Sequence, residues 1–497
     1  MKKVLEKVPQ KVPSLIGSEW VVRNGKEFTN VYNPATGEII SQTPMGNKVD
    51  VDDAVLAASL AFDSWSNTPS TVRADVMHKY RSILEDHFEE LSTLISLENG
   101  KTLAEARGDM RRGFEVVDFA CGIAHLSKGE SLAQVANNID GVTIREPLGV
   151  CAGISPYNFP AMVPMWMFPL AIACGNTFVL KPSEKVPLTV VKLAELFLEA
   201  GLPEGVLNVV HGGKEVVDAL CTHPEIKAVS FVGSSKIAKY VYSLASQHGK
   251  RVQAGGAAKN ALLVMPDADP DSTLRAVMSS AFGCAGQRCM AGSLLIGVGE
   301  HANALKERVM GAMRNLKLGD PLADNSTDMG PVIDETSQKR IINVIDKAEK
   351  GGTKLVWDGR LNTPDKGFFV GPTLFENVSP DMPIFGEEIF GPVLSMLTPK
   401  SLEEAIQWLN KLNYGNGATI FTSSGAAARQ FTRSIKCGMI GVNVGVPAPM
   451  SQFPFSGWND SFYGDLHMQG TEGVMFYTRQ KVVLSRWDNT YQLKSGW

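Results

Sequence analysis

The chain has 497 residues, 44% of them apolar and 20% charged, a balance that excludes long disordered tails, collagen-like repeats, coiled-coil rods and small disulfide-stapled scaffolds. At roughly 150 residues per domain there is chain for two or three cores. Lys and Arg number 48 against 52 Asp and Glu, a net charge of -4, so no broad field draws the protein to nucleic acid or anionic lipid and small-molecule chemistry is the default.

Seven cysteines, at positions 121, 151, 174, 221, 284, 289 and 437, form no CxxC pair and are too sparse for a disulfide framework, which fits a reducing compartment. The opening MKKVLEKVPQKVPSL carries no continuous apolar run of the kind a secretory signal needs. The most apolar stretch, residues 161–174, is interrupted by Pro164 and Pro169 and falls short of the roughly 18 residues a membrane span takes. A cytoplasmic protein without nucleic-acid or membrane partners is the expectation.

Along the chain, residues 54–65, 73–97 and 104–126 carry apolar side chains at helical spacing. Residues 141–145 and 148–154 read as two short strands around the Glu146-Pro147 break, a hairpin or arm rather than a core crossover. From residue 176 the pattern alternates: strand 177–180, helix 188–200, strand 206–210, helix 216–221, strand 228–232, helix 236–246. Parallel strands joined by helices predict a doubly wound sheet with ligands at its carboxyl ends. A second alternation follows, with strands at 260–265, 294–298, 419–421 and 439–442 and helices at 274–282, 304–316, 336–350 and 402–412. The tail 473–494 is strand-like and far from any sheet it can complete locally, so it is expected to pair with a neighbouring subunit.

Several loops carry chemistry-bearing side chains. In FGCAGQRCMAG, residues 282–292, small residues leave the Cys289 sulfur approachable and Arg288 favours its thiolate, which suits a nucleophile; the alternative is one more inert buried thiol, as expected for Cys284. Asn158 in PYNFP is either an amide aimed at an oxyanion or a turn former. Lys181 and Glu184 in LKPSE follow a predicted strand, where an amine and a carboxylate can hold ribose hydroxyls, or form a solvated loop. A glutamate there disfavours a 2′-phosphate. Gly233 and Ser234 in FVGSS precede a helix whose N-terminus suits a pyrophosphate, although no GxGxxG occurs and a plain helix cap is the alternative. EEIFGPV, residues 387–393, offers a carboxylate and an aromatic ring. Eight histidines without HExxH spacing predict no metal.

In joint order and spacing, PYNFP, LKPSE, FVGSS, GQRC and EEIFGPV resemble the aldehyde dehydrogenase superfamily, over nearly the whole chain from YNPATGE to TRQKVV. The resemblance implies an α/β fold with two doubly wound parallel-sheet domains and a β oligomerisation arm. Residues 1–133 and 151–256 would form the NAD-binding domain, 257–468 the catalytic domain, and 134–150 with 469–497 the arm of a homodimer or homotetramer. Carried over by motif, Cys289 is the nucleophile and Asn158 the oxyanion donor. Lys181 and Glu184 contact the adenine ribose, Glu388 and Phe390 the nicotinamide side, with Ser155, Phe159, Ser183, Gly212, Gly233 and Ser234 also around NAD.

Two departures bear on the reaction. Hydrolytic members place a glutamate at the head of an ELGGK-type segment, whereas RVQAGGAAKNALLVMPDADPD, residues 251–271, has no acidic residue before Asp267. Water then attacks a thioester poorly while a thiolate attacks it well, so coenzyme A is the implied acceptor. This segment and AGQRCMA resemble the CoA-acylating methylmalonate-semialdehyde dehydrogenase branch. There Arg112 and Arg288 would clamp the far carboxylate of malonate or methylmalonate semialdehyde, with Arg111 as the rival assignment; a hydrolytic enzyme releasing a free acid is the alternative. The second departure is Ala238, where many members place Gly, a change that bears on cofactor affinity.

Overall fold

The computed structural model describes residues 6–22 and 27–487. Two sheets dominate. The eight-stranded one runs Glu19–Val21, Ser14–Ile16, Leu207–Val209, Thr177–Lys181, Val150–Ile154, Ile226–Val232, Arg251–Gly255, Phe462–Tyr463, parallel through its middle and antiparallel at both edges. Its parallel part starts at Val150–Ile154, adds two strands outward on one side, then returns to add Ile226–Val232 and Arg251–Gly255 on the other. That reversal opens a crevice at the carboxyl ends of Val150–Ile154 and Ile226–Val232, where a doubly wound sheet binds its ligand.

The strand expected as part of a hairpin, residues 148–154, is therefore the centre of this sheet. All five residues of Val150–Ile154 are buried, because both faces are covered by helices. Only the preceding segment, Ile139–Pro147, lies in a separate sheet, and the break between them is made by Gly149, at φ 133, with the Asn176 side chain accepting the Leu148 and Gly149 N–H groups.

The seven-stranded sheet runs Lys354–Trp357, Thr373–Glu376, Val393–Leu397, Gly292–Gly297, Asn260–Val264, Gly417–Phe421, Met439–Val442, all parallel except the first pair. Its amino ends carry the loops that meet the crevice of the first sheet. Separate apolar cores back the two sheets, one around Phe168, Phe178 and Phe197 and one around Leu294, Phe375 and Leu394.

Two expected long helices are each broken. Residues 73–97 form Ser70–Asp86 and Phe88–Asn99, because His87 leaves the helical region and its ring bonds Glu90, letting Phe88 pack on Phe114. Residues 104–126 form Leu103–Cys121 and Ile123–Leu126, divided at Gly122. The tail also departs from expectation. Gly470–Tyr477 is a helix, and Thr478–Arg486 pairs along its full length with Ile139–Pro147 of the same chain, which in turn pairs with Ser131–Ala136. The strand thus completes a sheet after all, one whose other strands lie far back in the sequence. Residues 488–494 of that expectation lie outside the described residues. Among the described residues no helix is long and apolar enough to cross a membrane.

Candidate active site

Cys289 lies in a loop between helix Pro270–Phe282 and strand Gly292–Gly297. The loop is held from several sides. Cys284 and Ala285 adopt left-handed φ values of 50 and 51, and at Gly286, φ 70, a Cβ would lie 2.2 Å from the Gly391 carbonyl oxygen, so only glycine fits. Ile333 N–H donates to the Gln287 side chain at 3.0 Å, and the Asn260 and Asn416 amides both donate to the Cys289 carbonyl at 2.9 Å. The sulfur-bearing residue is left half-buried at the wall between two cavities.

The larger cavity, about 670 Å³, runs along the crevice of the first sheet and is lined by Asn158, Ser183, Glu184, Gly233, Ser234, Glu388 and Phe390. Ser234 is the N-cap residue of helix Ser235–Gln247, yet its hydroxyl makes no capping bond and the first turn holds no acid, so the helix end is open to an anion. Lys181 Nζ donates to Glu184 at 3.1 Å; burial pushes the Glu184 carboxyl up, but Lys181 and nearby hydrogen bonds outweigh it and hold it below the ordinary carboxylate range. Lys181, Ser155 and Gly212 do not line this space. Ser155 is buried with its hydroxyl unpartnered, and Gly212 packs against Gly46. A long molecule with an anionic middle and two sugar rings, such as NAD, matches this donor set: an open helix end between the carboxylates of Glu184 and Glu388.

The smaller cavity, about 340 Å³, approaches Cys289 from the opposite side and is lined by Glu105, Arg112, Phe159, Trp166, Arg288 and Phe455 among others. Phe159, expected beside NAD, belongs to this wall because the chain turns at Asn158 into the helix Met162–Ala173. Arg112 donates to the Glu115 carboxylate at 2.9 Å and to the Ala448 and Pro449 carbonyls at 2.9 and 2.7 Å. Arg111 points away, paired with Glu85 and lying over the Phe88 ring. Arg288 donates to the Cys284 sulfur at 3.2 Å and to Glu105 at 3.3 Å.

Burial pushes the Cys289 thiol up to about 12, and the Glu388 charge adds to the push; the local backbone N–H groups and Arg288 pull it down without prevailing. Arg288 thus acts in the expected direction but does not by itself produce a thiolate. Glu388 is in turn raised to about 7 by burial, while the Ala258 N–H, 2.8 Å from it, favours its charged form.

Sequence reasoning missed Glu105. Its carboxylate accepts from Thr102 N–H at 2.9 Å and from Cys284 N–H at 2.6 Å, tying the start of the helix that carries Arg112 to the strained turn before Cys289. The capping pattern TLAE, residues 102–105, announces the first bond, but nothing local announces the second. Arg340 on helix Glu335–Lys350 also lines the larger cavity and was missed.

A cysteine set between a crevice for an extended cofactor and a short arginine-bearing pocket is the architecture of an aldehyde-oxidising dehydrogenase, and the chain belongs to the aldehyde dehydrogenase family, whose profile matches residues 20–483. It is 51% identical over 479 residues to the malonate-semialdehyde dehydrogenase of Halalkalibacterium halodurans, covering 96% of this chain and 99% of that one. Among solved structures it is similar to the methylmalonate-semialdehyde dehydrogenase of Oceanimonas doudoroffii, with TM-score 0.95 and 46% identity over 97% of this chain and 99% of that one. A Sinorhizobium meliloti protein, assigned as a methylmalonate-semialdehyde dehydrogenase and crystallised with NAD, superposes with TM-score 0.95 at 45% identity, covering 97% of this chain and 98% of that one.

Proposed function

We propose that the protein oxidises malonate semialdehyde, methylmalonate semialdehyde or both with NAD, releases carbon dioxide, and passes the acyl group to coenzyme A as acetyl-CoA or propionyl-CoA. The carrying observation is the position of Cys289, the residue shared by the two cavities.

The Cys289 thiolate adds to the aldehyde carbon, and the Asn158 amide with the Cys289 N–H receives the oxyanion. Arg112 and Arg288 hold the far carboxylate and point the aldehyde at sulfur. Glu184, Gly233, Ser234, Glu388 and Phe390 would hold NAD, which would supply the hydride acceptor. Loss of hydride leaves a thioester on Cys289. Its β-carboxylate departs as carbon dioxide, the electron pair of the broken bond passing into an enolate that takes up a proton. The CoA thiol gives up one proton and attacks the thioester, and Cys289 leaves as thiolate, so protons balance.

Water is a poor competitor because the acids lining the smaller cavity are engaged: Glu105 with two backbone N–H groups, Asp109 with Lys101, Glu115 with Arg112. One observation favours a second reading, a hydrolytic enzyme. Glu388 shares the larger cavity with Cys289 and titrates at about 7, a suitable value for a general base.

Omission of CoA separates the two. The acylating enzyme makes about one NADH per active subunit and stalls; sustained turnover to free acid without CoA overturns it in favour of Glu388-assisted hydrolysis. Product analysis with both semialdehydes completes the assignment. The protein is read as a cytoplasmic homo-oligomer with the three-part division given by the resemblance. The apolar side chains exposed on the arm, Leu132, Val135, Val142, Ile144, Val482 and Leu484, support such a contact.

A further inference from the structure

We propose that the buried ion pair Lys101–Asp109 is a positioning device for the oxyanion-holding amide of Asn158. The inference rests on the reading of Asn158 given above.

Four observations carry it. The Lys101 ammonium and the Asp109 carboxylate are both wholly buried and 2.9 Å apart. The same ammonium donates to the Asn158 carbonyl at 2.7 Å and sits 4.2 Å from the centre of the Phe159 ring, so three of its neighbours belong to one short stretch of chain or to its anchor. The other Asp109 oxygen accepts from Met162 N–H at 2.7 Å. Asn99, two residues before Lys101, donates its side-chain amide to the Tyr157 carbonyl at 2.9 Å. Backbone groups at residues 157, 158 and 162 are therefore fixed from behind by LENGKT, residues 97–102, and by Asp109, while among the described residues no hydrogen bond restrains the Asn158 side-chain amide.

A buried ion pair is weak grounds for stability, because desolvating both charges offsets most of their attraction. What a charged donor on a fixed anchor supplies is a short, directional bond to one carbonyl. An amide needs that restraint, since an oxyanion donor displaced by an ångström loses most of its effect. Lys101 and Asp109 touch neither the sulfur nor, on this reading, the reacting carbonyl; they act through Asn158.

The test is a double-mutant cycle on the rate of the first NADH burst. Lys101→Met is combined with Asp109→Asn so that no lone charge is buried, and the pair is placed in wild-type and Asn158→Ala backgrounds. Asn158→Ala alone is expected to slow the burst by roughly 10²–10³-fold. The Lys101/Asp109 double substitution is expected to slow it at least about tenfold in wild type but less than about twofold in Asn158→Ala, with NADH affinity, read by fluorescence, unchanged within about twofold. Equal slowing in both backgrounds, no slowing, or a loss of NADH binding in step with rate overturns the proposal. If the double substitution does not fold, Asn99→Ala, which removes only the bond to Tyr157, is put through the same cycle under the same criteria. A fast burst in Asn158→Ala alone overturns the oxyanion assignment itself, and the proposal with it, which distinguishes the two failures.

Discussion

The two cavities that meet at Cys289 are built by different means. On the cofactor side the walls combine strand ends and the open N-terminus of helix Ser235–Gln247 with the side chains of Glu184, Glu388 and Phe390, spread along the crevice where the sheet turns back. On the substrate side the walls are long side chains whose charges are already matched, Arg112 with Glu115 and Arg288 with Glu105, between rings of Phe159, Trp166 and Phe455. The first kind of site accepts an extended molecule and can release it. On the proposed function the second discriminates, because an incoming carboxylate would take over guanidinium contacts now held by Glu115 and Glu105, and an aldehyde without a carboxylate would not.

Substitutions test that division in descending order of effect. Cys289→Ser, at the shared wall, should abolish the NADH burst, on the order of 10³-fold or more, while NADH still binds in a fluorescence titration. Arg112→Leu or Arg288→Leu should cost about 2–3 kcal/mol, roughly 30–150-fold, in kcat/KM for a semialdehyde, and leave propanal almost unaffected. Equal losses for both aldehydes would mean that the arginines hold the cavity together rather than select.

The Cys289–Glu388 pair gives a smaller effect with a defined sign. With the thiol at about 12, iodoacetamide labelling of Cys289 in the free enzyme should rise about tenfold per pH unit from pH 8 to 10. Glu388 is ionised above about 7 and then opposes the thiolate, so Glu388→Gln should speed labelling several-fold above pH 8. Below pH 6, where Glu388 is protonated, variant and wild type should converge. Smallest of all, Arg111→Ala on the exposed face should change stability by less than about 0.5 kcal/mol and kcat/KM by less than about twofold, in contrast to its neighbour Arg112.

Much of the fold was legible because burial leaves a periodic trace. The alternation after residue 176 places strands Thr177–Lys181 and Ile226–Val232 and their helices within a few residues of where they lie. Cys289 stood out because small neighbours and a preceding Arg are local features. What local pattern does not carry is closure over distance. A run such as VCAGI reads alike at a sheet's centre and in an arm until its partners are known, and Val150–Ile154 was misplaced for that reason. Glu105 looks like a helix cap because its second bond, to Cys284 N–H, joins segments far apart in sequence. Phe159 went to the wrong wall because a turn at Asn158 reverses the side on which neighbours emerge.

The arm illustrates the same point in time rather than space. Strand Ile139–Pro147 finds its partner Thr478–Arg486 more than three hundred residues later, so this ladder cannot zip until the ribosome has passed Arg486. At typical synthesis rates that is a wait of very roughly 20–70 s. Throughout it, a strand carrying Val142 and Ile144 offers an open edge on the nascent polypeptide. That edge is closed only when Thr478–Arg486 lies down along it.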